Sequence, residues 1–370
     1  MIYLDAAATS FQKPMTVRRA VSDAMLRLTT PGRGGHAAAN HAASTVYACR
    51  ERAARMFGVP EPEHVAFTMN ATHALNLAIR TLVAPWDPVV ISGYEHNAVT
   101  RPLHAVGAKV RVASGRLFDA DAVLEDFRRL LPGAKCAVCT HVSNVFGFVL
   151  PLQEIADLCR AQGVPLIVDA SQSAGVLDVD LTRLGAAFVA MPGHKGLLGP
   201  QGTGLLLCGR NAEPLLFGGT GSNSVDQTMP EDLPERLEAG TQNIPGIAGL
   251  SAGLAYVSPR MTAIRAQERA LTAVLAERLR ECRELERFYA GGEMQTGVLS
   301  VRSTRHNCET FAEMLADSGI AVRAGLHCAP LAHRSAGTLE TGTVRLSVSP
   351  FTTQREIERA SERIRQIAEH

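Results

Sequence analysis

A chain of 370 residues, 46% hydrophobic and 20% charged with a formal net charge of +1, has a globular composition and excludes a disordered or low-complexity protein. No basic cluster gives the footprint of a nucleic-acid binder, no apolar run reaches membrane-spanning length, and the N-terminus lacks a signal-peptide pattern. The expected partners therefore include neither nucleic acid nor membrane, and the expected location is cytoplasmic.

The length predicts more than one core. The opening Tyr3-Leu4-Asp5-Ala6-Ala7-Ala8-Thr9 reads as an extended arm, residues 1–15. Helical spacing follows from Met15 to Thr29 and again from Ser44 to Phe57, with the glycine-rich Pro31-Gly32-Arg33-Gly34-Gly35-His36 between them. From Val65 to about Cys208, strands of four to six apolar residues alternate with helices of ten or more. That pattern predicts an α/β fold with a mostly parallel sheet covered by helices, in a large domain over 16–257. The segment Phe217 to Asn243 reads as loop, and Ile247 to Val257 and Ala263 to Glu284 as helices. Strands at Gly297 to Val301 and Val344 to Val348, with helices at Cys308 to Ser318 and Gln354 to His370, predict a smaller α+β domain over 258–370.

In open α/β sheets ligands bind beyond the carboxyl ends of the strands. Successive strand ends here carry Ala71-Thr72, His96, Asn144, Asp169 with Gln172, and His194-Lys195. Taken singly, each has an ordinary reading as a helix cap, a loop histidine or a glycine-hairpin lysine. Taken together they place an anion site at a helix N-terminus, a buried acid in want of a cationic partner, and a lysine on one sheet edge. A desolvated lysine has the lowered pKa that a Schiff base with a carbonyl cofactor requires. The combination points to pyridoxal 5'-phosphate. Of the eight cysteines only Cys136 and Cys139 are closely spaced, within an apolar strand-like run, so no metal is expected.

The chain resembles the class V, fold-type I aminotransferases, specifically the cysteine desulfurase and selenocysteine lyase family. The motifs that carry the resemblance run nearly end to end: Arg33-Gly34-Gly35-His36, Glu95-His96-Asn97, His141-Val142-Ser143-Asn144, Val168-Asp169-Ala170-Ser171-Gln172, Gly193-His194-Lys195, Glu238-Ala239-Gly240-Thr241 and Arg323-Ala324-Gly325-Leu326-His327-Cys328. The resemblance implies that Lys195 carries the cofactor, Asp169 pairs with its pyridinium, and His96 stacks on the ring and assists proton transfer. It implies that Asn144 and Gln172 meet the ring oxygen, and that Ala71, Thr72 and His194 hold the phosphate. Thr241 is expected to complete the partner's site across a homodimer. Arg345 and Arg323, with His36 and Asn144, are expected around the substrate.

Cys328 matches the family's nucleophilic cysteine, with Arg323 and His327 expected to favour its thiolate. The implied reaction converts L-cysteine to L-alanine with a persulfide on Cys328. The shortness of the loop from Arg323 to Cys328 implies slow turnover without a sulfur-acceptor protein. Alternatives are a selenocysteine lyase acting on L-selenocysteine, an epimerase or kynureninase-like enzyme in which Cys328 is incidental, and a catalytically inert scaffold. Pro192 stands where the family usually has the serine before Gly-His-Lys.

Overall fold

The computed structural model describes residues 1–31, 34–221 and 224–370. Its central sheet has seven strands in the order Val65–Thr68, Gly204–Cys208, Phe188–Pro192, Leu166–Asp169, Cys136–Thr140, Pro88–Ser92 and Lys109–Ala113. Only Gly204–Cys208 runs against its neighbours. The other six strands therefore end on one common edge. Both faces of the inner strands Gly204–Cys208, Phe188–Pro192, Leu166–Asp169 and Cys136–Thr140 are buried, which is why these four read as continuous apolar runs without a polar alternation. Phe67, Ala137, Val168 and Leu207 pack on one face with the helices Ala37–Met56, Ala120–Leu130, Leu152–Ala161 and Ile244–Val257. Ala66, Val138, Ile167 and Leu206 pack on the other with Ala71–Leu82 and Asn97–Val106.

Cys136 and Cys139 fall in these two opposite clusters, because residues three apart on a strand point to opposite faces. Burial raises both thiol pKa values. Their spacing makes no joint site.

C-terminal to Met261 a second sheet, wholly antiparallel, takes the order Arg323–Gly325, Thr343–Ser347, Val298–Ser303, Leu285–Phe288. The helices Met261–Arg278, Cys308–Asp317 and Gln354–Glu369 pack with it. The last of these opens with a capping box between Thr353 and Glu356.

Two expectations are corrected in this region. The helix expected to run to Glu284 ends at Arg278, and Leu285–Phe288 adds an edge strand. No glycine or proline interrupts the sequence between them, so no breaker marked the change. The N-terminal arm is also more than an extended segment. Ile2–Tyr3 pairs in parallel with Ile320–Ala321, and Leu4 is fully buried beside Leu271 and Leu346. The arm thereby brings Asp5 against the C-terminal sheet, where it bridges to Ser347.

Candidate active site

The common edge of the six co-directional strands holds a cavity of about 230 Å³. Its walls include Ala71 and Thr72 after the first strand of the sheet, His96 after Pro88–Ser92, and Asn144 after Cys136–Thr140. Asp169 and Gln172 come from the end of Leu166–Asp169, and His194 and Lys195 from the loop after Phe188–Pro192. Eight of the expected site residues thus meet in one space.

Lys195 lies on the loop between two antiparallel strands, Phe188–Pro192 and Gly204–Cys208. The glycine-rich stretch is thus the connection of a hairpin. Its glycines are needed for close approach, since a Cβ at Gly193 would overlap Thr203 Oγ1 and one at Gly196 the Ala174 carbonyl. Burial pushes the Lys195 amine down to about 8, with Asp169 acting in the opposite direction.

Asp169 ends the central strand of the sheet, is buried, and accepts from the Ser171 N–H at 2.9 Å. Among the described residues no lysine, arginine or histidine forms an ion pair with Asp169. Its second oxygen has no hydrogen-bond partner among the described residues. Behind it Glu95 is fully buried, accepting from Ser92 Oγ at 2.5 Å and the Thr140 N–H at 2.7 Å. Burial raises the Glu95 carboxyl to about 8.

Asn70 caps the helix Ala71–Leu82, its side chain accepting from the His73 N–H at 2.9 Å. The N–H groups of Ala71 and Thr72 have no partner among the described residues, and both residues line the cavity. A helix N-terminus with free N–H groups is an anion site. Opposite, His194 Nδ1 lies 3.0 Å from Thr9 Oγ1. Burial, with the Lys195 and Lys13 charges, lowers this imidazole to about 4, so it is neutral. The His194 carbonyl is held by Ser10 N–H at 3.0 Å and Lys13 Nζ at 3.1 Å. Pro192 lines the cavity with a ring that donates nothing.

His96 serves as a helix cap and as a cavity wall at once. Its Nδ1 accepts from the Ala98 N–H at 3.0 Å, which leaves Nε2 to carry the ring proton. Burial lowers its pKa. Gln172 donates one amide hydrogen to the Ala7 carbonyl at 2.9 Å and keeps the other. Asn144 donates to the His327 carbonyl at 2.8 Å.

The remaining expected residues do not line this cavity. Arg345 is buried and donates to the Asn144 carbonyl at 3.0 Å and to Asp5 at 2.8 Å. Arg323 is exposed, 3.3 Å from Asp5. Thr241 is exposed in the segment following Glu238. His36 is exposed and caps the helix Ala37–Met56, accepting from Ala39 N–H at 3.3 Å. Arg33 of the same motif lies outside the described residues.

Cys328 is the one exposed cysteine among the eight. It sits between the strand Arg323–Gly325 and the short helix Pro330–Ser335. Its carbonyl accepts from the Asn97 N–H at 2.7 Å, which fastens the loop to the turn carrying His96. The expectation that His327 favours a Cys328 thiolate is corrected. His327 turns inward, donating from Nε2 to the Thr343 carbonyl at 3.2 Å. Burial and the nearby Arg345 push it down to about 2, so it carries no charge to lend.

Asp5 was not foreseen as a site residue. The only sign of it in the sequence is an acid directly after the apolar start of the arm.

The chain is similar to known proteins along nearly its whole length. The Aminotransferase class-V family profile matches residues 2–360. A probable cysteine desulfurase of Methanothermobacter thermautotrophicus is 33% identical, over 99% of this chain and 94% of its own length. One of Pyrococcus abyssi is 32% identical, over 97% of this chain and 92% of its own. Among solved structures, the apo cysteine desulfurase of Thermococcus onnurineus NA1 superposes with a TM-score of 0.89 at 31% identity, covering 100% of this chain and 94% of the other. The cysteine desulfurase CsdA of Escherichia coli, in an S-sulfonic acid form, superposes at 0.87 with 26% identity, again over 100% and 94%. The fold is that of the class V aminotransferases, and the chain belongs to the class V aminotransferase family.

Proposed function

We propose that the chain is a pyridoxal 5'-phosphate-dependent cysteine desulfurase that converts L-cysteine to L-alanine and takes the sulfur onto Cys328. The observation that carries this reading is the convergence of Lys195, Asp169, His96 and the free helix N-terminus at Ala71-Thr72 on one cavity, with the only exposed cysteine fastened beside it.

The residues present fit the cofactor. The unpartnered N–H groups of Ala71 and Thr72, the Thr72 hydroxyl and the neutral His194 suit its phosphate. The free oxygen of Asp169 suits a protonated ring nitrogen, and Gln172 and Asn144 retain donors for the ring oxygen. When bound, the cofactor would supply an electron sink for the bond broken at the substrate Cα. Lys195, desolvated to a pKa near 8, exists partly as a neutral amine at neutral pH. It can therefore hold the cofactor and, when released by substrate, accept the Cα proton. His96, neutral with its proton on Nε2, packs over the same space. Arg345 would take the substrate carboxylate. Its Nε is buried without a partner, a donor left over for a ligand.

Cys328 Sγ would attack the substrate sulfur. An S–S bond forms as the substrate Cβ–S bond breaks, the electron pair stays on Cβ, and protonation completes alanine. The thiol hydrogen balance closes, since cysteine and one enzyme thiol yield alanine and one enzyme persulfide. The loop is short and pinned through Asn97, Asn144 and Thr343. Such a cysteine favours transfer to a docked sulfur-acceptor protein over free release. Thr241, exposed on the segment anchored by Glu238, suits a phosphate contact in the partner's site of a homodimer. The free thiols suit a reducing, cytoplasmic setting.

The test is incubation of the purified protein with L-cysteine and L-selenocysteine, measuring alanine and the released chalcogen. Cys328→Ala is expected to abolish alanine formation from L-cysteine while leaving the cofactor's absorption band intact. Lys195→Ala is expected to lose the band. Undiminished alanine formation from L-cysteine by Cys328→Ala would refute the assignment of Cys328.

A further inference from the structure

In the antiparallel pair Arg323–Gly325 with Thr343–Ser347, Arg323 stands directly opposite Arg345. Like charges in directly opposed positions repel, and Arg345 is also buried. Asp5 reaches both from the N-terminal arm. Its Oδ1 accepts from Arg345 at 2.8 Å, and its Oδ2 lies 3.3 Å from Arg323 Nε. The side chain of Asp5 is 13% exposed, that of Arg345 3%, and that of Arg323 53%, so the carboxylate is anchored on the buried member of the pair.

Two donors of the Arg345 guanidinium are thus committed, one to Asp5 and one to the Asn144 carbonyl. Its Nε has no partner. A planar guanidinium held at two corners has its remaining edge fixed in direction. The charges of Arg345, Arg323 and Asp5 sum to one net positive, the complement of a single carboxylate.

We propose that Asp5 is a positioning residue for the substrate-carboxylate site, fixing the orientation of Arg345 and balancing the Arg323–Arg345 pair so that one amino-acid carboxylate is received. This rests on the reading of Arg345 as the substrate's partner. A purely structural Asp5 would only offset the repulsion between the two arginines. The arm's backbone pairing does not depend on the Asp5 side chain, since Ile2–Tyr3 and Leu4 hold it through their own backbone groups.

The test uses the cofactor-loaded enzyme and the variant Asp5→Asn, which keeps the shape and removes the charge. Half-saturation by L-alanine, read from the change in the cofactor's absorption, is expected to rise about tenfold, the order of one charge-assisted hydrogen bond. KM for L-cysteine should rise in parallel with kcat within about twofold. In an Arg345→Lys background Asp5→Asn should add no further loss, because its effect passes through Arg345. Unchanged or tighter L-alanine binding in Asp5→Asn, or full additivity with Arg345→Lys, would overturn the proposal. A lowered melting temperature with unchanged binding would do the same and assign a structural role. A wild-type enzyme that binds L-alanine but forms none from L-cysteine overturns the desulfurase reading alone.

Discussion

The backbone N–H of Asn97 donates to the carbonyl of Cys328 at 2.7 Å, so the residue after His96 and the candidate nucleophile are held together although they are distant in the sequence. The same loop carries two consecutive side chains in the left-handed region, His327 at φ 49° and Cys328 at φ 56°. Each costs an L-residue roughly 1–2 kcal/mol, which the pins from Asn97, Asn144 and Thr343 overcome. Cys328→Gly is therefore expected to be more stable than Cys328→Ala by about 1 kcal/mol, although both are inactive. Urea denaturation of the two variants checks this. A Cys328→Gly variant no more stable than Cys328→Ala would mean the loop carries no such strain.

The Lys195 amine makes a second case. With burial holding it near 8, the apoprotein should react with a small aromatic aldehyde at a rate that climbs through pH 8, well below the range of an ordinary lysine. Asp169 raises this pKa, so Asp169→Asn should shift the midpoint to lower pH. Stopped-flow absorbance against pH reads both. A midpoint near 10 in the unaltered protein would show that the amine is solvated.

The sequence made much of this site legible because the sheet is regular. Apolar runs buried on both faces stand out between amphipathic helices, and the residues after them converge by topology alone. Asp169 and Lys195 could be paired that way. What escaped depends on packing between distant segments. The ion pair of Asp5 with Arg345 joins the arm to the last strand of the C-terminal sheet, and no local pattern predicts that pairing. His327 flanks Cys328, yet its ring points inward to Thr343, because a left-handed backbone sends adjacent side chains in directions that strand or helix periodicity does not describe. The strand Leu285–Phe288 was hidden behind residues that suit a helix equally well.

Glu238 shows a motif residue whose work is structural. It forms a buried ion pair with Arg50, whose guanidinium also donates to the Val65 carbonyl, and it accepts from the Phe67 N–H at 2.6 Å. The segment leading to Thr241 is thereby clamped to the edge strand Val65–Thr68. Glu238→Ala is expected to cost about 3–5 kcal/mol, because it strands a buried guanidinium. Replacing Arg50 as well, with Met, should recover part of that loss. Denaturant titration of the single and double variants measures it, and a single variant within 1 kcal/mol of the parent would contradict the clamp.

Glu268 offers a prediction in pH. Its carboxyl is buried against a cavity of about 40 Å³ between the Lys195 loop and the strand Thr343–Ser347, and no described residue hydrogen-bonds to it. Desolvation raises the group from 4.5 to about 8. An acid with a raised folded-state pKa keeps its proton in the native state after the unfolded chain has released it. The native state therefore binds more protons between about pH 4.5 and 8, and stability falls as pH rises through that window. Below it the group costs nothing in ionisation, and above it the full penalty is present. Glu268→Gln removes the titration while keeping the shape. The variant should match the parent near pH 4 and become progressively more stable than it up to pH 9, as read from urea midpoints at several pH values. A difference between variant and parent that stays constant across this range would show that Glu268 is charged, and paired, in the folded protein.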